Sequence, residues 1–252
     1  MQEGTRLAII GGSAVERLRG FAAERTERRA TPWGEASAAV HVGRLHGLPA
    51  LYLARHGEPH AIAPHRINYR ANLRALADLG ATHVVALNTV GGIAPAAEPG
   101  SLWLPHDAID YTWGREGSFH DGVLLPLDHV EFAEPFDAGM RGMLGRAAAA
   151  AGVPLQPRAV YGCTQGPRLE TAAEIARLAR DGCDLVGMTA LPEAALAREL
   201  GLSYAMLAMV VNRAAGLSPE PITLAEIRRE AAACMAQVDA TLESLAALLV
   251  SG

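Results

Sequence analysis

From Tyr204 to Val211 the chain carries eight residues with almost no polar group, and the run stops abruptly at Asn212. A run so short and so apolar suits a strand covered on both faces, the arrangement found in parallel sheets. The carboxyl end of such a strand is where open α/β sheets place their ligands. Asn212 can donate and accept at once, which matches the edge of a planar heterocycle. It can equally cap the turn into Arg213-Ala-Ala-Gly216, and on this stretch alone both readings stand.

The same pattern of buried strand followed by a polar or glycine-rich cluster recurs along the chain. Residues 7–10 read as a strand ending in Gly11-Gly12-Ser13, where backbone N–H groups can approach an anion closely. Residues 40–45 and 48–53 read as a hairpin around His46-Gly47, and its second strand ends in Ala54-Arg55-His56-Gly57. Asn68 can cap a helix reaching about Leu79, with Gly80 just past its end. Residues 82–87 form the next strand, followed by Asn88-Thr89-Val90-Gly91-Gly92. Short strands at 102–104 and 108–111 precede a long irregular segment, 112–136, that holds Trp113, Phe119, His120, His129 and Phe132. A segment of that length in a compact domain is functional or interfacial.

A helix at 137–151 and a strand at 158–161 lead to Thr164-Gln-Gly-Pro-Arg-Leu-Glu-Thr171. A further helix covers 171–181, a strand 185–188, and Thr189-Ala-Leu-Pro192-Glu193 opens another helix with Pro192 in its first turn. Thr223 caps a long terminal helix that turns Leu224, Ile227, Met235, Val238, Leu242, Leu245 and Leu249 inward. Strands and helices alternate throughout, so the expected architecture is one α/β domain over residues 1–252 with a mostly parallel sheet flanked by helices.

Composition excludes several functions. The chain has 252 residues, a net charge of −5 and mixed charges without a basic block, which argues against nucleic acid. All 22 basic residues are Arg; without Lys there is no Schiff base and no Walker-type phosphate lysine. Cys163, Cys183 and Cys234 are odd in number and widely spaced, as expected in a reducing cytoplasm, and no His or Cys spacing predicts a metal. No signal-peptide core and no continuous apolar run of about 18 residues predicts a membrane segment. The strand-end clusters together supply a phosphate cradle (Ser13, Arg55, His56, Thr89 and Thr189) and a heterocycle reader (Glu170 and Asn212).

The chain resembles the purine nucleoside phosphorylase and S-methyl-5′-thioadenosine phosphorylase family. The stretches that carry the resemblance include Ile9-Ile-Gly-Gly-Ser13, Thr31-Pro-Trp-Gly34, Leu53-Ala-Arg-His-Gly57, Asn68-Tyr-Arg-Ala-Asn72, Asn88-Thr-Val-Gly-Gly92, Glu134-Pro-Phe136, Gly166-Pro-Arg-Leu-Glu-Thr171 and Gly187-Met-Thr-Ala-Leu-Pro-Glu193. They run from residue 6 to beyond Asn212. The resemblance implies a single-domain α/β fold with a distorted barrel, assembled as a homotrimer. It also implies reversible phosphorolysis, with inorganic phosphate as co-substrate and no cofactor. It places phosphate on the cradle, His56 included, the ribose against Met188, and Leu169 beside the substrate.

Base preference follows from the same comparison. A 6-oxopurine presents N1–H as a donor and O6 and N7 as acceptors, which Glu170 and Asn212 match. Thioadenosine enzymes resemble one another in carrying aspartates where this chain has Asn212 and Ala214, and serine in place of Glu170. The sugar end points the other way. Leu224 stands near where general purine enzymes place a histidine, and its apolar side chain resembles the thioadenosine enzymes; plain helix packing explains it nearly as well. His129 matches a histidine that reaches into a neighbouring subunit's methylthio pocket. The expectation is therefore a 6-oxopurine nucleoside with a 5′-methylthio sugar. The alternatives are a general inosine/guanosine enzyme, a thioadenosine enzyme, or a silent nucleoside-binding scaffold.

Overall fold

The computed structural model describes residues 6–12 and 18–251, excepting the side chains of Leu224 and Ser251. In chain order the first half holds β1 (Leu7–Gly11), β2 (Phe21–Glu27), β3 (Ala30–Thr31), β4 (Gly34–Glu35), β5 (Val40–Leu45), β6 (Leu48–Ala54), α1 (Tyr69–Asp78), β7 (His83–Gly92), β8 (Leu102–Trp103) and β9 (Asp107–Asp110). The second half holds α2 (Ala138–Ala150), β10 (Leu155–Gln156), β11 (Val160–Cys163), α3 (Ala172–Arg180), β12 (Leu185–Gly187), α4 (Ala190–Glu199), β13 (Ser203–Arg213) and α5 (Leu224–Ser251).

The sheet is mixed, with a parallel centre. Its order is β10-β8-β13-β7-β1-β6-β5-β2, and β13, β7, β1 and β6 all run parallel. β13 is buried on both faces from Tyr204 to Val211, and burial relaxes at Asn212. The distortion occurs on β7. β1 stops pairing with it after Ala86, while β13 stays paired to its end. β12 therefore takes the vacated edge, pairing antiparallel at Gly91 and Gly92, and continues the sheet through β11 to β9.

Local chemistry explains the element ends. Asn68 accepts from the Ala71 N–H at the start of α1, Asp137 from Met140 at α2, and Thr171 forms a capping box with Glu174 at α3. Thr223 and Glu226 make the same reciprocal pair at α5. His46 and Gly47 both have positive φ, as a two-residue turn of type I′ requires between β5 and β6. In α4 the first helical turn is broken: Leu191 is extended, and the regular helix starts at Pro192. α5 is long and apolar enough to cross a membrane, but Val238, Leu242 and Leu245 are wholly buried in the core.

One sequence expectation needs correction, and one strand was unforeseen. The clusters at 88–92 and 212–213 lie inside β7 and β13 rather than beyond them, because the two strands stay paired as far as Gly92 and Arg213. β2, largely exposed and polar, is an edge strand with no apolar run to announce it.

Candidate active site

A cleft of about 1200 Å³ opens at the carboxyl ends of the central strands. Arg55, His56, Thr89, Leu169, Glu170, Met188, Thr189, Asn212 and Ala214 all line it, so strands β6, β7 and β13, the loop after β11 and the residues that follow β12 converge there. Ser13 lies outside the described residues. The backbone of Leu224 begins α5, and its side chain is likewise outside them. His129 is exposed and does not line the cleft of its own chain.

At one end the polar groups are buried and mostly committed. Arg55 is 1% exposed and Glu193 0%. They meet bidentately, Nε to Oε2 at 2.7 Å and Nη2 to Oε1 at 2.9 Å. Tyr204 donates its hydroxyl to Glu193 Oε1 at 2.8 Å. Arg55 also donates to the Leu87 carbonyl (3.2 Å) and to Asn88 Oδ1 (3.4 Å). Burial opposes the Arg55 charge, but the adjacent carboxylate outweighs it and raises the pKa. The sequence places Arg55 in a phosphate cradle, where a guanidinium fork could hold the anion bidentately. Its fork instead grips Glu193, leaving one N–H on Nη1 for an anion. The backbone at Gly12 makes room beside it: a Cβ there would sit 3.0 Å from Nη1 and 2.7 Å from the Leu87 oxygen.

His56 is also buried. Its Nδ1 lies 2.8 Å from the Ile62 carbonyl, which can only accept, so the ring proton sits on Nδ1 and Nε2 is a lone pair. Burial, then the Arg55 charge, lowers its pKa to about 4. Asn88 Nδ2 donates to Thr189 Oγ1 at 2.8 Å.

At the other end the groups are half-buried and lightly held. Glu170 accepts from the Thr164 hydroxyl at 2.6 Å. Asn212 Nδ2 donates to the Arg213 carbonyl at 2.7 Å, and Oδ1 and a second N–H make no other hydrogen bond among the described residues. A bulge at Val211 shifts the register between Val210 and Asn212. Consecutive strand residues normally face opposite ways, yet here Val211 and Asn212 both line the cleft. Ala214 packs with Ile93, Ile175, Leu178, Cys183 and Val186 under α3. The wall on the α5 side combines Ile222, Ile227, Ala231 and Met235 with the polar Arg228 and Asp239.

Sequence reasoning missed the supports. Glu193 and Tyr204 act from behind the cleft wall, and only the coincidence of several strand ends could have linked them. Arg115 was hidden in the irregular segment. It donates to the carbonyls of Met188, Leu191, Thr164 and Gln165, fastening that segment to the floor of the cleft. Among the described residues no cluster of three or more His, Cys, Asp or Glu side chains could hold a metal ion.

Known proteins share both sequence and fold with this chain. A probable S-methyl-5′-thioinosine phosphorylase of Pseudomonas syringae pv. tomato is 49% identical over 238 residues, covering 94% of this chain and 97% of that protein. A 6-oxopurine nucleoside phosphorylase of Pyrococcus furiosus is 44% identical, covering 88% and 84%. The methylthioadenosine phosphorylase of Schistosoma mansoni, solved with adenine, superposes with a TM-score of 0.93 at 30% identity over 98% of this chain and 93% of that one. The signature of the phosphorylase superfamily matches residues 6–247, nearly every strand that builds the cleft. The chain belongs to this superfamily, whose signature spans the strands that build the cleft.

Proposed function

We propose that the chain catalyses phosphorolysis of a 6-oxopurine 5′-methylthionucleoside: S-methyl-5′-thioinosine and phosphate give hypoxanthine and 5-methylthioribose 1-phosphate. The observation that carries this reading is the pairing of Glu170 with Asn212 across one cleft, with Ala214 where a second carboxylate would be needed for adenine. Phosphate held by Arg55, Thr89, Thr189 and His56 attacks C1′ as the C1′–N9 bond breaks. The electron pair of that bond passes into the purine. Asn212, with one N–H free, donates to N7 or O6 as charge builds, and Glu170 accepts N1–H. Met188 and Leu169 flank the nucleoside. No cofactor is required beyond phosphate as co-substrate.

The relatives at 49% and 44% identity differ in their named substrates, a methylthioinosine and 6-oxopurine nucleosides generally. The apolar side chains of Ile222, Ile227, Ala231 and Met235 support the methylthio sugar, whose methyl group would bury apolar surface against them. Release of free base is measured from methylthioinosine, methylthioadenosine, inosine and guanosine, with and without phosphate. Phosphate-dependent cleavage strongest on methylthioinosine is the expected result. Equal cleavage of methylthioadenosine overturns the roles of Glu170 and Asn212, and equal cleavage of inosine overturns the role of the α5 wall.

The working unit is a cytoplasmic homotrimer on this reading. Trp113, Val123, Leu124, Leu127 and Val130, exposed large apolar residues, all fall in the irregular segment that also carries His129. Such a concentration suits an interface between subunits. A solution mass measurement showing a fully active monomer would sink it.

A further inference from the structure

We propose that His56 makes this cleft selective for a protonated oxyanion, its Nε2 accepting a hydrogen bond from the P–O–H of bound phosphate. The inference rests on the reading of the cleft as a phosphate site and adds to it which oxygen goes where. It follows from proton directions that the surrounding bonds leave no freedom to change.

Arg55 cannot accept, so Asn88 must turn Oδ1 toward it and Nδ2 toward Thr189. The Thr189 oxygen is then an acceptor for Asn88, and its own proton is free to point into the cleft. Arg55 has one N–H left on Nη1. Both groups are donors toward an anion. His56 is the opposite case. The Ile62 carbonyl fixes the proton on Nδ1, and no hydrogen bond is made at Nε2 among the described residues. The ring lines the cleft, and His60 packs against it at a tilt of 31° with centroids 4.4 Å apart, which restrains rotation. A proton on Nε2 would create a buried cation next to Arg55; the lowered pKa agrees with its absence at neutral pH. Among the described groups, Arg55 can only donate to an anion here, the hydroxyls of Thr189 and Thr89 can turn to donate, and His56 Nε2 is the group that can only accept. An anion that keeps one hydroxyl fits this cradle. An anion of the same shape and charge without a hydroxyl sets its own lone pair against that of Nε2.

Near pH 8 phosphate is the dianion with one P–O–H, and sulfate is a dianion with none, so the two differ at this one proton. Binding of each is measured by calorimetry, and sulfate is also tested as a competitor of phosphate in base release. The unaltered protein is expected to bind phosphate roughly 10- to 100-fold more tightly than sulfate, the range of one hydrogen bond to a charged group. In H56Q the amide supplies an N–H, so sulfate gains, phosphate loses, and the ratio closes toward one. Arsenate and selenate repeat the comparison in the unaltered protein, arsenate keeping a hydroxyl and selenate not, so the outcome stands even if H56Q fails to fold. Sulfate within threefold of phosphate in the unaltered protein overturns the proposal, as does an H56Q ratio equal to the original. Base release that does not depend on phosphate overturns phosphorolysis instead, and the calorimetric ratios still judge His56.

Discussion

The two ends of the cleft are built differently. At the phosphate end Arg55, Glu193, Tyr204, Asn88 and Thr189 are buried and joined in one continuous network, and nearly every donor has its acceptor. At the base end Glu170 and Asn212 are only part-buried, and their side chains are held by one bond each from Thr164 and to Arg213. A buried charged network tolerates little change, because losing one member strands another without water. A half-buried carboxylate or amide can be replaced at small cost to folding. On the proposed reading the phosphate end is locked into the core, while base recognition falls on groups that folding leaves freer to change.

The largest expected effect tests this contrast directly. Glu193→Ala strands the Arg55 cation in the core, and Arg55→Ala strands Glu193. Each should destabilise folding by about 3–5 kcal/mol. Glu170→Ala should cost under about 1 kcal/mol, as expected of a substitution outside the core. Denaturant unfolding of the three variants measures this, and equal losses would dissolve the distinction. It also means that weakened phosphate binding in Arg55→Ala counts only after folding has been checked.

Next in size is a change of base preference. Asn212→Asp with Ala214→Asp should move the ratio of kcat/KM for methylthioadenosine over methylthioinosine by on the order of 100-fold toward the 6-amino substrate. Ala214 is buried against α3, so the double variant should also lose stability. Glu170 remains and limits the switch. An unmoved ratio in folded enzyme would remove Asn212 from base recognition.

The sequence showed the ligand-facing groups far better than their supports. Arg55, His56, Asn88, Thr89, Thr189 and Asn212 follow apolar runs, and a strand's end is visible where apolar residues stop. The caps at Asn68, Thr171 and Thr223 are equally local. Glu193 and Tyr204 were not visible as partners of Arg55, because that contact joins residues 138 apart in the chain. The bulge at Val211 was hidden too, since register depends on which strand lies alongside. β2 escaped because an exposed edge strand needs no apolar pattern. The fork of Arg55 was assigned to phosphate for the same reason: its buried carboxylate partner lies on a distant helix.

A pH effect sharpens the comparison from the phosphate end. Burial holds the His56 pKa at about 4 in the folded protein, against about 6.5 unfolded. Between these values the unfolded chain binds more protons, so stability rises with pH through that window and is complete above it. Acidification from pH 7 to pH 4 should cost on the order of 2 kcal/mol from His56 alone. His60 and His83, also lowered by burial, add in the same direction, while the raised Asp239 carboxyl acts oppositely. Thermal melts across the range check this, with His56→Gln flattening the curve; an unchanged slope in that variant would place the titration elsewhere.

The smallest effect concerns Thr164 and probes the base end alone. Its hydroxyl has one proton and two acceptors in reach, Glu170 Oε1 at 2.6 Å and the Gly187 carbonyl at 3.3 Å, and the shorter bond takes the proton. That bond orients the carboxylate before the base arrives. Valine has nearly the shape of threonine, so Thr164→Val removes the bond and little else. The Gly187 carbonyl still accepts from the Thr164 backbone N–H at 2.8 Å, so the substitution strands no backbone group. Loss of one neutral-donor bond to a charged acceptor on a half-buried group should cost about 1 kcal/mol, or roughly fivefold in kcat/KM for methylthioinosine. The loss should fall on the 6-oxo substrate and spare methylthioadenosine, which has no N1–H for Glu170 to hold. Steady-state kinetics on both substrates measure it. If Thr164→Val lowers both rates alike, Thr164 supports the strand rather than the carboxylate, and the base end is more tightly built than its few bonds indicate.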